Sequence, residues 1–226
     1  MSGHPLDTPV WSALTSRQAE FAVGDGRALR FAADVSPFAA MADESPESRA
    51  ALAALIPPGG RVMLVTDQPF TAPAGTMIEK TLPIVRMVAH TLAGDAQGDG
   101  LQPLTDADAP EMLALATLTE PGPFLPRTHR LGAFWGIKEN GRLMAMAGER
   151  LRPAGFTELS GVCTHPDARG RGYARRLAAW VTHKIAARGE TPFLHSLATN
   201  TTANQLYQSL GFTAFRDVTA VVLTRS

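Results

Sequence analysis

Residues 156–189 read FTELSGVCTHPDARGRGYARRLAAWVTHKIAARG. The first nine residues mix aromatic, branched and apolar side chains, which suits a strand over 156–164. Pro166-Asp-Ala-Arg-Gly170 is turn chemistry. From Tyr173 onward the pattern changes period. Ala174, Leu177, Ala178, Val181 and Ile185 share one helical face, so an amphipathic helix is predicted over 173–188, with Gly189 as its C-cap. A strand therefore feeds a helix through a turn holding Gly170 and Gly172. Glycine lets backbone come close to a ligand, and the free N–H groups of a helix N-terminus attract anions. Arg169, Arg171, Arg175 and Arg176 add positive charge there. A pyrophosphate is the natural guest of such a loop. The alternative is an ordinary strand-to-helix turn with a solvated arginine face. The loop is not a P-loop, because no Gly-Lys-Ser/Thr follows, and Arg175 stands where a dinucleotide fingerprint needs a third small residue.

Working outward, residues 132–138 and 142–149 are predicted strands, joined by the hairpin signal Asn140-Gly141. Thr105-Asp106 can cap a helix from 107 to about 118. Glu120-Pro-Gly-Pro-Phe124 is a rigid loop. Downstream, PFLHSLA (192–198) is a predicted strand. Ala203, Leu206, Tyr207 and Leu210 mark a helix over 202–210, ended by Gly211, and 212–224 closes as a strand. The predicted order is β-α-β-β-β-α-β-α-β. That is an α/β (α+β) chain with a mixed sheet and helices packed against it.

At this point the sequence resembles the GNAT superfamily of N-acetyltransferases. The family's Arg/Gln-x-x-Gly-x-Gly/Ala loop is matched by Arg169, Gly172 and Ala174. Its Asn-x-x-Ala-x-x-Leu-Tyr-x-x-x-Gly-Phe pattern is matched by Asn200, Ala203, Leu206, Tyr207, Gly211 and Phe212. Two motifs in the right order are far more specific than either alone. The resemblance covers roughly 101–226, and it implies a mostly antiparallel sheet with acetyl-CoA as cosubstrate and no metal. It implies that Val162, Cys163 and Thr164 offer backbone groups to the pantetheine arm and thioester. Arg169, Gly170, Arg171, Gly172, Tyr173 and Ala174 should wrap the pyrophosphate, and Asn200 should hydrogen-bond the pantetheine. Tyr207 should be the general acid beside the sulfur. Glu158 occupies the position where several family members carry a general base. Arg127, His129 and Arg130 fall in the segment that shapes the acceptor side in the family. The segment after Gly211 is short for the family, with room for one long element in place of two strands.

The chemistry agrees with these roles. An alkylamine has a pKa near ~10.4 and must lose a proton before it can attack a thioester. The tetrahedral oxyanion needs a donor, and an unpaired strand N–H supplies one. Gly161 can open a local bulge that frees such a group. Each residue also has a plainer reading. Tyr207 could fill a core, Glu158 could be a strand-edge ion-pair partner, and Asn200 could cap a helix. Cys163 reads as a small strand residue and not a nucleophile. His165, His183 and His195 share no metal-ligand spacing. The expected reaction is direct acetyl transfer to a primary amine on a small molecule or peptide. The rival is a CoA-binding regulatory module without transfer activity.

The rest of the chain bounds these readings. The 226 residues carry 21 Lys+Arg and 21 Asp+Glu, so the formal net charge is zero. That argues against a dedicated nucleic-acid binder. The zero conceals an asymmetry of +6 over 150–226 against −6 over 1–149. One cysteine excludes intrachain disulfides and multi-cysteine zinc sites. No apolar run is long enough for a membrane span, and MSGHPLDTPVW lacks a secretory pattern, so a cytoplasmic protein is expected. GDAQGDG at 94–100 is the best linker, dividing an N-terminal α/β region (1–97) from an acetyltransferase domain (98–226). The first region is predicted to hold a helix from Pro9 to about Val23, a strand at 27–32, a helix at 46–56 and strands at 61–66 and 82–89. Trp11, Phe21, Phe31 and Phe38 should fill a core. This region could complete the acceptor cleft, cover a sheet edge, or be a degenerate second copy of the fold.

Overall fold

The computed structural model describes residues 4–225. Residues 1–3, part of the stretch read above for a leader, lie outside the described residues. In chain order the elements are α1 (Pro9–Leu14), β1 (Ala22–Gly24), β2 (Ala28–Phe31), β3 (Ala39–Met41), α2 (Pro46–Leu55), β4 (Arg61–Thr66) and β5 (Thr76–Val88). They continue with β6 (Gln102–Leu104), α3 (Ala109–Thr119), β7 (Phe134–Glu139), β8 (Arg142–Glu149), β9 (Phe156–Thr164), α4 (Tyr173–Ala186), β10 (Thr191–Leu197), α5 (Thr201–Gln208) and β11 (Thr213–Arg225).

Eight strands form one sheet in the order β4-β11-β5-β10-β9-β8-β7-β6, and β1–β3 form a small second sheet. Only β9 and β10 run parallel within the large sheet. The predicted element order from β6 to β11 is the observed one, and β9 has the predicted bounds. Local chemistry explains the boundaries. Asn140 and Gly141 have φ of 50° and 79°, the paired left-handed conformations of a tight hairpin turn. Ser45 caps α2 by accepting the Ser48 N–H at 3.2 Å, with Pro46 at the first helical position.

Two predicted elements differ. The first helix ends at Leu14 instead of about Val23. Thr15 and Ser16 turn their hydroxyls back onto the Trp11 and Ser12 carbonyls, which competes with helix continuation. Gln18 then turns inward. Its amide donates to the Leu131 and Arg150 carbonyls and accepts from the Arg152 N–H. The second difference is β5, which begins at Thr76 instead of 82. Residues 77–81 are exposed, so no in–out alternation of apolar residues marks them as strand.

The placement of β5 decides the architecture. It lies between β10 and β11, pairing with β11 from Thr76 to Val88 and with β10 from Ile84 to Val88. The one long strand after Gly211 is thus partnered by a strand from before the 94–100 loop. Strands from both sides of that loop share one sheet.

Each face of the sheet carries its own core. On one face Leu177, Ala178, Val181 and Ile185 of α4 pack on Met87, Leu194 and Phe212. Each fully buried Leu, Val or Ile contributes about 1.5–3 kcal/mol. On the other, Leu6, Val10, Leu14, Phe31 and Phe38 cover Val88 and Phe193. Phe31 and Phe38 therefore fill the core expected of them, Phe21 is partly buried against it, and Trp11 is only half-buried.

Candidate active site

The site begins where the sheet comes apart. β9 and β10 pair only from Thr191–Phe156 to Phe193–Glu158. Beyond that the strands diverge, so the backbone of β9 after Glu158 faces a gap on its β10 side. A bulge sits in the same stretch, because the register with β8 shifts between Met146 and Gly148. Gly161 makes the bulge with φ +63°. A Cβ there would lie 3.0 Å from the Phe134 ring. Gly161→Ala is expected to cost about 1–2 kcal/mol from the left-handed backbone alone. That should lower Tm by roughly 2–8 °C in thermal unfolding.

The gap opens into a cleft of about 740 Å³. Val162, Cys163 and Thr164 line one wall, and Asn200, Leu206 and Tyr207 another. Arg169, Gly170, Gly172, Tyr173, Ala174 and Arg175 line its α4 end. Gly170 and Gly172 have φ of +77° and +76°, and nothing lies within 4 Å of where their Cβ atoms would be. The backbone there is bare and open. Gly172 is the N-cap of the 14-residue α4, and no side chain caps that end. The first N–H groups of the helix are thus left for an anion, with the helix dipole favouring one.

Ten of the twelve expected site residues line this cleft, and two do not. Arg171 turns away: its guanidinium pairs with Glu139 at 3.1 Å and donates to the Asp167 carbonyl. Tyr173 keeps its ring at the cleft and gives its hydroxyl to the same Glu139.

Glu158 is the larger correction. It is fully buried on the part of β9 that still pairs with β10. Arg150 binds both of its oxygens, at 2.7 and 2.8 Å. The His195 ring lies 2.7 Å from one of them, and the Leu151 N–H donates to the other. Burial works to raise its pKa, but Arg150 and His195 outweigh burial and hold the carboxyl far below the usual range. With both oxygens engaged and no exposed surface, this carboxylate does not reach the cleft. The chain continues inward to Arg86, whose Nε donates to His195 Nε2 at 2.9 Å and whose Nη1 donates to the Leu6 carbonyl. These bonds fix the His195 tautomer, with the proton on Nδ1 facing Glu158. Burial, together with Arg86 and Arg150, holds the His195 pKa low, and burial brings Arg86 down to about 10. Glu158 thus belongs to a buried polar network that joins β5, β9 and β10 to Arg150, just past the end of β8.

At the cleft the protonation states differ. Burial pushes the Tyr207 phenol up to about 12, with neighbouring Cys163 adding to the rise. Burial also pushes the Cys163 thiol up to about 11, against the Thr119 hydroxyl beside it. Tyr207 is therefore a protonated phenol, and Cys163 is a poor nucleophile. Asn200 lines the cleft while its side chain accepts the Ala203 N–H at 3.1 Å, capping α5. Arg127, His129 and Arg130 lie outside the cleft. Arg127 pairs with Asp34 at 3.0 Å, and His129 and Arg130 with Asp106 at 2.9 and 3.7 Å. Among the described residues no group of three His, Cys, Asp or Glu is placed to hold a metal ion, and no helix is long and apolar enough to cross a membrane.

A solved structure of a GNAT-family protein from Novosphingobium aromaticivorans DSM 12444 is 44% identical, covers 99% of both chains, and superimposes with a TM-score of 0.93. The chain belongs to the GNAT family of acetyltransferases. The FR47-like protein family also matches residues 134–221 of this GNAT protein. A GCN5-related N-acetyltransferase from Kribbella flavida shares the GNAT fold at 20% identity, with 95% of each chain covered and a TM-score of 0.59. A GCN5-related N-acetyltransferase-like protein from Streptococcus suis does so at 16% identity, covering 91% of this chain and 82% of its own, with a TM-score of 0.56. No curated protein matches the chain. This GNAT chain is an acyltransferase. Its cleft also includes Thr119, at the end of α3, and Glu120 and Pro121, which the sequence reading places in a loop. The Pro-Gly-Pro run signalled rigidity there, but nothing local linked it to a cleft built 40 residues later.

Proposed function

We propose that this acyltransferase moves the acetyl group of acetyl-CoA directly to a primary amine. One observation carries the reading: the bare glycine turn at the N-terminus of α4, the unpaired stretch of β9 and the Tyr207 phenol all face one cleft. Acetyl-CoA matches that layout from end to end. Its pyrophosphate suits the N–H groups of Gly170–Ala174, flanked by Arg169 and Arg175. Its pantetheine arm suits the open backbone of Val162–Thr164 and the Asn200 side chain, and its thioester then reaches the bulge.

The reaction balances without a covalent enzyme intermediate. The amine nitrogen bonds to the thioester carbon, and the carbonyl oxygen takes the negative charge beside an unpaired strand N–H. On collapse the carbon–sulfur bond breaks. The sulfur takes the Tyr207 proton, and the proton lost by nitrogen restores the phenol. Cys163 plays no covalent part, because burial keeps its thiol protonated.

Titration of CoA by calorimetry, followed by turnover of acetyl-CoA with a primary-amine panel, tests the reading. Binding without transfer to any amine would favour the regulatory module. Arg169→Glu is expected to weaken CoA binding roughly 10–100-fold, because a charge-assisted contact becomes a repulsion. Wild-type affinity in that variant would remove the loop from the binding site.

A further inference from the structure

We infer that Glu120 is the group that receives the ammonium of the acceptor and takes its proton. This rests on the transfer reading above.

With Glu158 locked away, the cleft needs another proton acceptor. Among the described residues Glu120 is the one acidic side chain lining it. Its position along the cleft suits the task. Glu120 follows Thr119, whose hydroxyl lies beside the Cys163 thiol, and Cys163 in turn neighbours Tyr207. Arg169 and Arg175 mark the α4 end of the same cleft. Positive side chains thus flank the phosphate end, and Glu120 lines the cleft next in sequence to the residue that touches β9 at Cys163. Glu120 is exposed, and no ion pair or side-chain hydrogen bond engages its carboxylate among the described residues. It is free to meet a cation.

Its backbone supports the same conclusion. Glu120 ends α3 in the left-handed conformation, with φ 48° and ψ 55°. That position favours glycine or asparagine, and a glutamate there is strained. The other non-glycine residue with positive φ among the described residues is Asn140, in a turn that suits it. Backbone strain of this kind clusters at functional sites, and here it falls at the lip of the cleft.

The proton balance is simple. The ammonium gives one proton to the Glu120 carboxylate, and the neutral amine then attacks. Glu120 releases that proton to water at the end of the turnover. The second nitrogen proton follows the Tyr207 route already described. The sum is one acetyl-CoA and one ammonium giving one amide, one CoA thiol and one proton.

The test compares wild type with Glu120→Gln on acetyl-CoA and a panel of cadaverine, phenethylamine, glycinamide and N-α-acetyl-lysine amide. The glutamine variant is expected to lose about 100-fold in kcat/KM at pH 7. It should recover as the pH climbs toward the amine pKa near ~10.4, where the free amine needs no base. Glu120→Asp should restore part of the loss. CoA affinity should stay unchanged in both. Glu120→Gly should raise Tm while losing the same activity, an outcome that a purely structural Glu120 does not produce. A glutamine variant with wild-type kcat/KM and an unchanged pH profile would overturn the inference and leave the transfer reading standing. A wild-type protein that turns over none of the amines, or fails to bind CoA, would overturn both.

Discussion

Tyr207→Phe is expected to lower kcat by about 100-fold or more, with CoA affinity within about twofold of wild type. The burial that pushes Tyr207 up to about 12 keeps the phenol protonated at neutral pH. In the proposed transfer the phenol gives its proton to the departing sulfur as the far more acidic ammonium of the tetrahedral adduct replaces it. Among the described residues no hydrogen bond occupies the hydroxyl, so removing it leaves no protein partner unsatisfied. The stability change should stay within about 0.5 kcal/mol. The ring keeps its edge-on contact with Phe212, 6.1 Å between centroids, in the phenylalanine variant. Steady-state kinetics and CoA titration on the same preparation separate the two effects. A turnover equal to wild type would show that water protonates the sulfur.

Glu158→Ala should produce the opposite pattern, a large loss of stability whose origin lies away from the chemistry. It leaves the buried Arg150 guanidinium without its bidentate partner. Breaking one side of such a pair costs about 3–5 kcal/mol. For a chain of this size that corresponds to a fall in Tm of roughly 6–20 °C. The network also sets a pH dependence. The folded chain holds His195 neutral, with its pKa lowered, whereas the unfolded chain protonates it below about 6.5. Stability from this site is therefore full above that pH and declines as the pH falls through the lowered folded value. Glu158 acts in the same direction from about 4.5 downward, since its folded pKa is also lowered. Thermal melts between pH 8 and 4 should show a Tm that falls toward acid. A His195→Gln variant should flatten the upper part of that slope. A flat wild-type profile across pH 7 to 5 would remove His195 from this account.

The C-terminal fold was legible because its signals are local. Asn140-Gly141, the glycine turn before α4 and the helical spacing of Leu177, Val181 and Ile185 each specify structure within a few residues. The cleft walls were legible for the same reason, since the two motifs carry their own geometry. Glu158 shows where this reading stops. Its spacing from Arg169 places it on β9 correctly, but its role depends on Arg86 and His195 from two other strands and on Arg150 from the loop after β8. Nothing near Glu158 in sequence announces that Arg86 will lie behind it. Glu120 failed to stand out for the converse reason. A glutamate before a proline looks like loop, and only the sheet beside it makes it the lip of a cleft. The exposed first half of β5 was hidden because a strand with solvent about it carries no apolar alternation.

The position of β5 also has a consequence for how the chain is made. β5 leaves the ribosome well before β10 and β11, yet it must end between them. Its pairing residues wait unmatched until Thr213–Arg225 has been synthesised. Contacts across such long stretches of chain close slowly, and an early strand held open is exposed to wrong partners meanwhile. The polar row of β5, with Glu79 and Lys80 set among apolar neighbours, gives it charge to resist sticking during that delay. Two polypeptides cut within the 94–100 loop should accordingly find each other when co-expressed, each supplying strands that the other lacks.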